Sequence, residues 1–284
     1  MFREMDYDIR TWERVLVRKR ENHMFKNKAA MITGDVHGIG QRYLWIDNIR
    51  AVAMISMITY HAVWDLVYLY GMNWGWYRSD FAFLWQQSIC WTFILLSGFC
   101  WSFSKNPLKQ GIVVTVGGLI VTVVTLLFSY DSRVIFGVLN LIGVSALLMI
   151  PLKKYFEKIS SMAGFFFMFV LFGITYGIND RHLGFFGLEL LELPRELYRN
   201  LLTTFVGFPA AGFYSSDYFS LLPWSFLYFA GYFLYRMWNQ KLIPEAKCMD
   251  KRMPVFTWLG KHSLIIYMIH QPILYGVLEV VFRS

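Results

Sequence analysis

The chain has 284 residues, of which 56% are hydrophobic, 19% aromatic and 16% charged, with a mean hydropathy of +0.42. A soluble globular domain carries more charge than this, and the length suits one compact bundle. The net charge of +8 lies between apolar runs, where it reads as a membrane-topology signal and not as a nucleic-acid surface.

Residues 1–43 are polar and basic, with Arg3, Arg10, Arg14, Arg18, Lys19, Arg20, Lys26, Lys28 and Arg42. No short apolar core with a small-residue cleavage site precedes the first long apolar run, so that run is expected to be an uncleaved anchor. Met5, Ile9, Trp12 and Leu16 keep the spacing of a basic amphipathic helix on the inner leaflet. A mobile tail, or a start at Met24 or Met31, is the alternative. Gly34, Gly38 and Gly40 suit a flexible joint; no Lys-Ser/Thr follows them, as a phosphate loop requires. The chain thus divides into a cytoplasmic extension, 1–43, and a membrane domain, 44–284.

Seven spans are expected in that domain: about Leu44–Tyr70, Phe81–Phe103, Gly111–Tyr130, Val134–Leu152, Gly164–Asn179, Phe219–Trp238 and Phe256–Val281. Each is near the ~20 residues that cross a bilayer, the fifth being short. The fold class is therefore all-α, a polytopic helix bundle. Lys105, Lys109, Lys153, Lys154, Lys158, Arg236, Lys241, Lys247, Lys251, Arg252 and Lys261 fall on the side of the basic extension. Arg78, Arg133, Arg181, Arg195, Arg199 and Arg283 fall on the other. This asymmetry places the N-terminus in the cytoplasm. Trp74, Trp76, Tyr77, Tyr214, Tyr218 and Trp224 sit at outer ends as interfacial aromatics do. The long outer connection, Asp180–Tyr218, is expected to form short interfacial or re-entrant helices over the bundle. Cys90 and Cys100 share one predicted helix and Cys248 lies in a basic loop, so no disulfide framework follows. No His/Cys cluster has metal-ligand spacing, and no metal is predicted.

The first span, YLWIDNIRAVAMISMITYHAVWDLVY, is apolar yet carries Asp47, Arg50, His61 and Asp65. Ionisable groups at membrane depth are costly and usually face a protein interior or a watery cavity. At about 100° per residue, Asp47, Arg50, Met54, His61 and Asp65 share one sector. That face is expected to look inward. Counting rise per residue puts Asn140 of the fourth span, Asp217 at the mouth of the sixth and His270 of the seventh at the height of His61 and Asp65.

Proton transfer is the chemistry open to such a set: a histidine oriented by a carboxylate is a general base. His61 with Asp65 one turn away fits this, and Asp217 and His270 complete the candidate catalytic set. Bland roles stand beside each. Asp47–Arg50 can be a structural ion pair, His61 and Asn140 interhelical hydrogen bonders, and Asp217 a cap for the sixth span. His270 can satisfy the carbonyl that Pro272 leaves free. At the inner end, Arg50 with Arg42, Lys105, Lys109, Lys153 and Lys154 could receive a phosphorylated ligand.

Four stretches in order carry a resemblance: the D-x-x-R-A-x-A…M…H-x-x-x-D pattern of the first span, FGVLNLIGVSALL, SSDYFSLLPW and LGKHSLIIYMIHQP. Together they resemble the catalytic-domain family of heparan-alpha-glucosaminide N-acetyltransferase, in its small bacterial branch, from about Tyr43 to the C-terminus. The last stretch is also similar to wider membrane acyltransferase families. The resemblance implies transfer of an acetyl group from cytoplasmic acetyl-CoA, as co-substrate, to an amine or hydroxyl on the far side, such as that of a cell-envelope sugar. It implies a bacterial plasma membrane, with His61 catalytic, Asp217 and His270 lining the outer site, and Asp47 and Arg50 at the ligand-binding inner end. Asn140, Lys105 and Lys109 complete the ligand-binding set. Many relatives have Gly where Ala51 stands and His where Asn140 stands; if that histidine is the base, His61 is not. A proton-coupled transporter with a His61–Asp65–His270 relay, and a non-catalytic sensor, are the other readings. The oligomeric state is open, a homo-oligomer included.

Overall fold

The computed structural model describes residues 44–185, 187–242 and 253–283. The basic extension with its expected surface helix, Arg42, and Cys248 with Lys247, Lys251 and Arg252 lie outside the described residues. The order is α1 (Leu44–Tyr68), α2 (Asp80–Trp101), α3 (Pro107–Phe128), α4 (Val138–Phe156), α5 (Ser161–Thr175), a hairpin of β1 (His182–Phe185) and β2 (Leu188–Glu192), α6 (Leu201–Val206), α7 (Leu221–Asn239), α8 (Pro254–Lys261) and α9 (Ser263–Arg283).

Six stretches among the described residues are long and apolar enough to cross a membrane: α1 to α4, α5 with its 3₁₀ extension to Asp180, and α9. The expected sixth span is α7, which is long enough but holds Pro223, Ser225, Tyr228, Tyr232, Tyr235, Arg236 and Asn239 among its 19 residues. Its hydropathy is diluted because it faces protein and not lipid. Trp224, Leu227, Tyr228, Ala230 and Phe233 are buried in the main apolar core, between α2 on one side and α5 on the other. By contrast α3 and α9 present Ile112, Val116, Leu119, Ile120, Val123, Ile265, Ile269, Ile273 and Val277 outward. An apolar surface of that extent belongs in a bilayer. The molecule is an integral membrane protein with a mostly helical polytopic fold.

Small residues bring the helices to backbone contact. A Cβ on Gly98 of α2 would lie 2.8 Å from the carbonyl carbon of Tyr228 in α7, and one on Gly231 would lie 2.9 Å from the carbonyl carbon of Leu95 and 3.0 Å from Phe99 N. Between α3 and α4, a Cβ on Gly111 would overlap the Leu147 side chain and one on Gly143 would meet Thr115 N at 2.5 Å. α3 starts at Pro107, with Asn106 accepting a hydrogen bond from Lys109 N at 2.9 Å, the usual way to satisfy a first-turn N–H.

Two expectations are corrected. The last span is not continuous: α8 stops at Lys261, His262 caps it with φ −103° and ψ 17°, and α9 starts at Ser263. Gly260 is the reason that α8 can lie against α1, since a Cβ there would sit 2.9 Å from Asp47 Cβ. The outer connection is not helical throughout. His182–Phe185 and Leu188–Glu192 pair antiparallel, with Gly184 (φ 149°) and Gly187 (φ 84°) in conformations that side chains resist. Phe185 anchors this hairpin on Trp91, Phe172 and Tyr176.

Candidate functional site

α1 turns its ionic face inward, as its periodicity demands. Asp47 and Asp65 are buried, and Arg50 and His61 open onto one cavity of about 370 Å³. At one end the cavity is lined by Arg50, Ser97, Gln110 and Ser263; at the other by Tyr60, His61, Cys90, Ser216, Asp217 and Tyr267. His61 lies eleven positions after Arg50 on α1, about 16 Å of helix.

Arg50 is held at its end by three contacts. It pairs with Asp47 at 3.8 Å and donates to Gly260 O at 3.3 Å and to Cys100 Sγ at 3.1 Å. Cys90 and Cys100 are free thiols. Lys105 and Lys109 share this end of the bundle but are exposed and do not line the cavity, where Gln110 stands instead. Lys153 belongs to a smaller neighbouring cavity with Glu157, to which it pairs at 3.6 Å, and Arg236. Arg236 is occupied there, donating to the carbonyls of Phe156 and Ile159 at 2.6 and 2.8 Å.

Beside the far end two histidines from different helices meet: His61 lines the cavity, whereas His270, expected to line it, is buried behind it. The His61 and His270 rings are 5.0 Å apart. His270 Nδ1 lies 2.6 Å from Tyr267 O. A carbonyl only accepts, so Nδ1 carries the proton and Nε2 keeps its lone pair in the neutral ring. That carbonyl is Tyr267's, one residue before the one Pro272 frees. His61 makes no hydrogen bond among the described residues, so its ring is available to whatever fills the cavity.

Asp217 joins them through Tyr267, whose hydroxyl donates to Asp217 Oδ2 at 3.1 Å. The same oxygen accepts from Val138 N at 3.3 Å. Asp217 therefore caps α4, not the sixth span as the sequence suggested. The backbone leading into α4 is shaped for this. Phe136 adopts φ 57°, an uncommon conformation for a bulky residue, and its ring packs on Phe205 and Phe213. A Cβ on Gly137 would stand 2.9 Å from Asp217 Oδ2. Burial raises the Asp217 carboxyl above its ordinary value, opposed by the two donors.

Two candidates have the right height and the wrong bearing. Asp65 is wholly buried off the cavity and accepts from Gln271 Nε2 at 2.8 Å. No histidine nitrogen is within ion-pair distance of it among the described residues, so it does not orient His61. Asn140 is 4% exposed and points at α3, where a Cβ on Gly118 would meet its side-chain carbon at 2.8 Å; it does not line the cavity. Asn140→His should therefore overpack this crossing and cost about 1–3 kcal/mol, read as a lower Tm in detergent. An unchanged Tm would mean that the α3–α4 contact is looser than described. Reading the sequence alone missed Tyr267, Gln271 and Gln110. Tyr267 and Gln271 flank His270 at i−3 and i+1, and that adjacency was the available signal.

A polytopic helical protein with an ionic cavity among its helices is the class so defined. The family model for heparan-alpha-glucosaminide N-acetyltransferase, catalytic, matches residues 42–272, and the chain belongs to this family. Neither a curated protein nor a solved structure matches it. Membership makes it a membrane transferase by family.

Proposed function

We propose that the protein transfers an acetyl group from acetyl-CoA, received at the Arg50 end, to an amine or hydroxyl that reaches His61 from the opposite side. The single observation behind this reading is the cavity, with a guanidinium at one end and, about 16 Å further along, an imidazole that makes no hydrogen bond among the described residues. A separation of about 16 Å suits the extended arm of a thioester carrier. The lysine asymmetry supports a cytoplasmic Arg50 end. Arg50 would hold the anionic part of the donor, with the exposed Lys105 and Lys109 adding a favourable field at the rim.

His61 would take the proton from the acceptor as its nitrogen or oxygen attacks the thioester carbonyl. The C–S bond then breaks, and the departing thiolate takes the proton back from His61. Asp217, facing the same cavity, would favour the transient imidazolium. The acceptor's amine or hydroxyl is in keeping with a sugar of the cell envelope.

The test is incubation of purified protein with acetyl-CoA, following free thiol and thermal stabilisation. Thiol release with stabilisation is expected. Absence of both, with gradient-driven solute flux in vesicles, would replace this reading with the transporter. Arg50→Gln should raise KM for acetyl-CoA on the order of tenfold or more, the scale of one charged hydrogen bond, with kcat less affected. An unchanged KM would remove Arg50 from donor binding.

A further inference from the structure

Asp65 presents a problem that the catalytic reading leaves unsolved. It is 0% exposed on a membrane-spanning helix. Its Oδ1 accepts from Gln271 Nε2, while its Oδ2 is buried with no hydrogen-bond partner among the described residues. On the other side of the pair, Gln271 Oε1 is likewise buried and unpartnered. No lysine, arginine or histidine nitrogen lies within 4.0 Å of the carboxyl among the described residues. The titratable groups around it are His61 one turn away on α1, His270 beside Gln271 on α9, and Tyr77, which senses Asp65 electrostatically from the 3₁₀ turn Gly75–Arg78. None of them supplies a fixed positive charge.

A buried carboxylate without a counter-charge is strongly disfavoured in such surroundings. Two acceptor oxygens are left over on partners already joined by one hydrogen bond, and one proton shared between them would satisfy both. We propose that Asp65 is a neutral carboxylic acid whose hydroxyl donates to Gln271 Oε1, closing a two-bond acid–amide ring that ties α1 to α9 beside the two histidines. The ring satisfies both orphaned oxygens at once and carries no net charge. Asp65 is then a positioning residue. It sits one turn beyond His61, and Gln271 is the neighbour of His270, so the ring sets the approach of the two imidazoles. It neither receives the acceptor's proton nor balances an imidazolium. Its role in positioning rests on the acetyl-transfer reading; its protonation state does not.

The experiment compares the parent protein with Asp65→Asn and Asp65→Ala in detergent, by infrared spectroscopy, thermal unfolding and thiol release from acetyl-CoA. A protonated-carboxyl C=O band at neutral pH, lost in Asp65→Asn, is expected. Asparagine can make the same reciprocal pair with Gln271, donating from its amide and accepting at its carbonyl. Asp65→Asn should therefore keep the parent Tm and most of the transfer rate, while Asp65→Ala loses both. Absence of that band, or a loss of Tm in Asp65→Asn equal to that in Asp65→Ala, would overturn the neutral acid. If Asp65→Ala does not fold, the band and the asparagine variant still decide. Should the protein release no thiol, band and Tm judge the ring alone and the failure falls on the acetyl-transfer reading.

Discussion

His61→Ala is expected to lower acetyl transfer by about 10²–10⁴-fold, the usual contribution of a positioned general base, while CoA still raises the thermal stability of the variant. The two effects separate because the two ends of the cavity are distinct. Arg50 is fixed by Asp47, Gly260 and Cys100, none of which touches His61. His61 itself makes no hydrogen bond to the described protein, so removing its ring breaks no internal network. The nearest competitor for its role is His270, 5.0 Å away between ring centres. His270 is 9% exposed, with Nδ1 committed to Tyr267 O, and does not line the cavity. His270→Gln should thus be the milder variant. Turnover in His61→Ala within a few-fold of the parent would remove His61 from the mechanism, and a deeper loss in His270→Gln would pass the role to that ring.

What the amino-acid order made legible here is axial, and what it hid is azimuthal. Rise per residue is the same in every helix, so counting from the ends of apolar runs brought His61, His270 and Asp217 to one height, and Tyr267 links the latter two. The inward face of α1 was readable because charge in lipid is costly and the helical period is known. Which way a residue on another helix points depends on how that helix is rotated, and no apolar stripe reports this where lipid and core are equally greasy. Asn140 was misplaced for that reason, and faces Gly118. Asp65 lies on α1 and does face inward, but one turn past His61 that face meets Gln271 of α9 and not the cavity. Glycines held more of the missing information than the ionisable residues did. Gly260 marks where α8 abuts α1, and Gly184 and Gly187 mark the hairpin. Short helices were expected across the outer connection, and leucine and glutamate do favour helices, but in LELLE pairing with His182–Phe185 makes a strand.

The same glycines set the second large expectation. Gly98→Val should abolish most of the folded protein or cost about 3 kcal/mol or more, the upper range for overpacking. The added Cβ would fall inside the van der Waals surface of the Tyr228 backbone carbonyl, 2.8 Å from its carbon and 3.3 Å from Tyr228 Cα. A side chain could swing aside, but a carbonyl within α7 is tied into that helix and cannot. Gly231 meets the α2 backbone at the same crossing, so the helices must part as units. Ser97 and Tyr228, both in the cavity wall, would move with them, and activity should fall together with stability. Gly173→Ala is the control. Its Cβ would meet nothing within 4 Å, and alanine is favoured over glycine in a helix by about 0.5–1 kcal/mol, so its Tm should hold or rise. A Gly98→Val protein that melts like the parent in detergent would mean that α2 and α7 do not touch backbone to backbone, and the cavity they enclose would need to be redrawn.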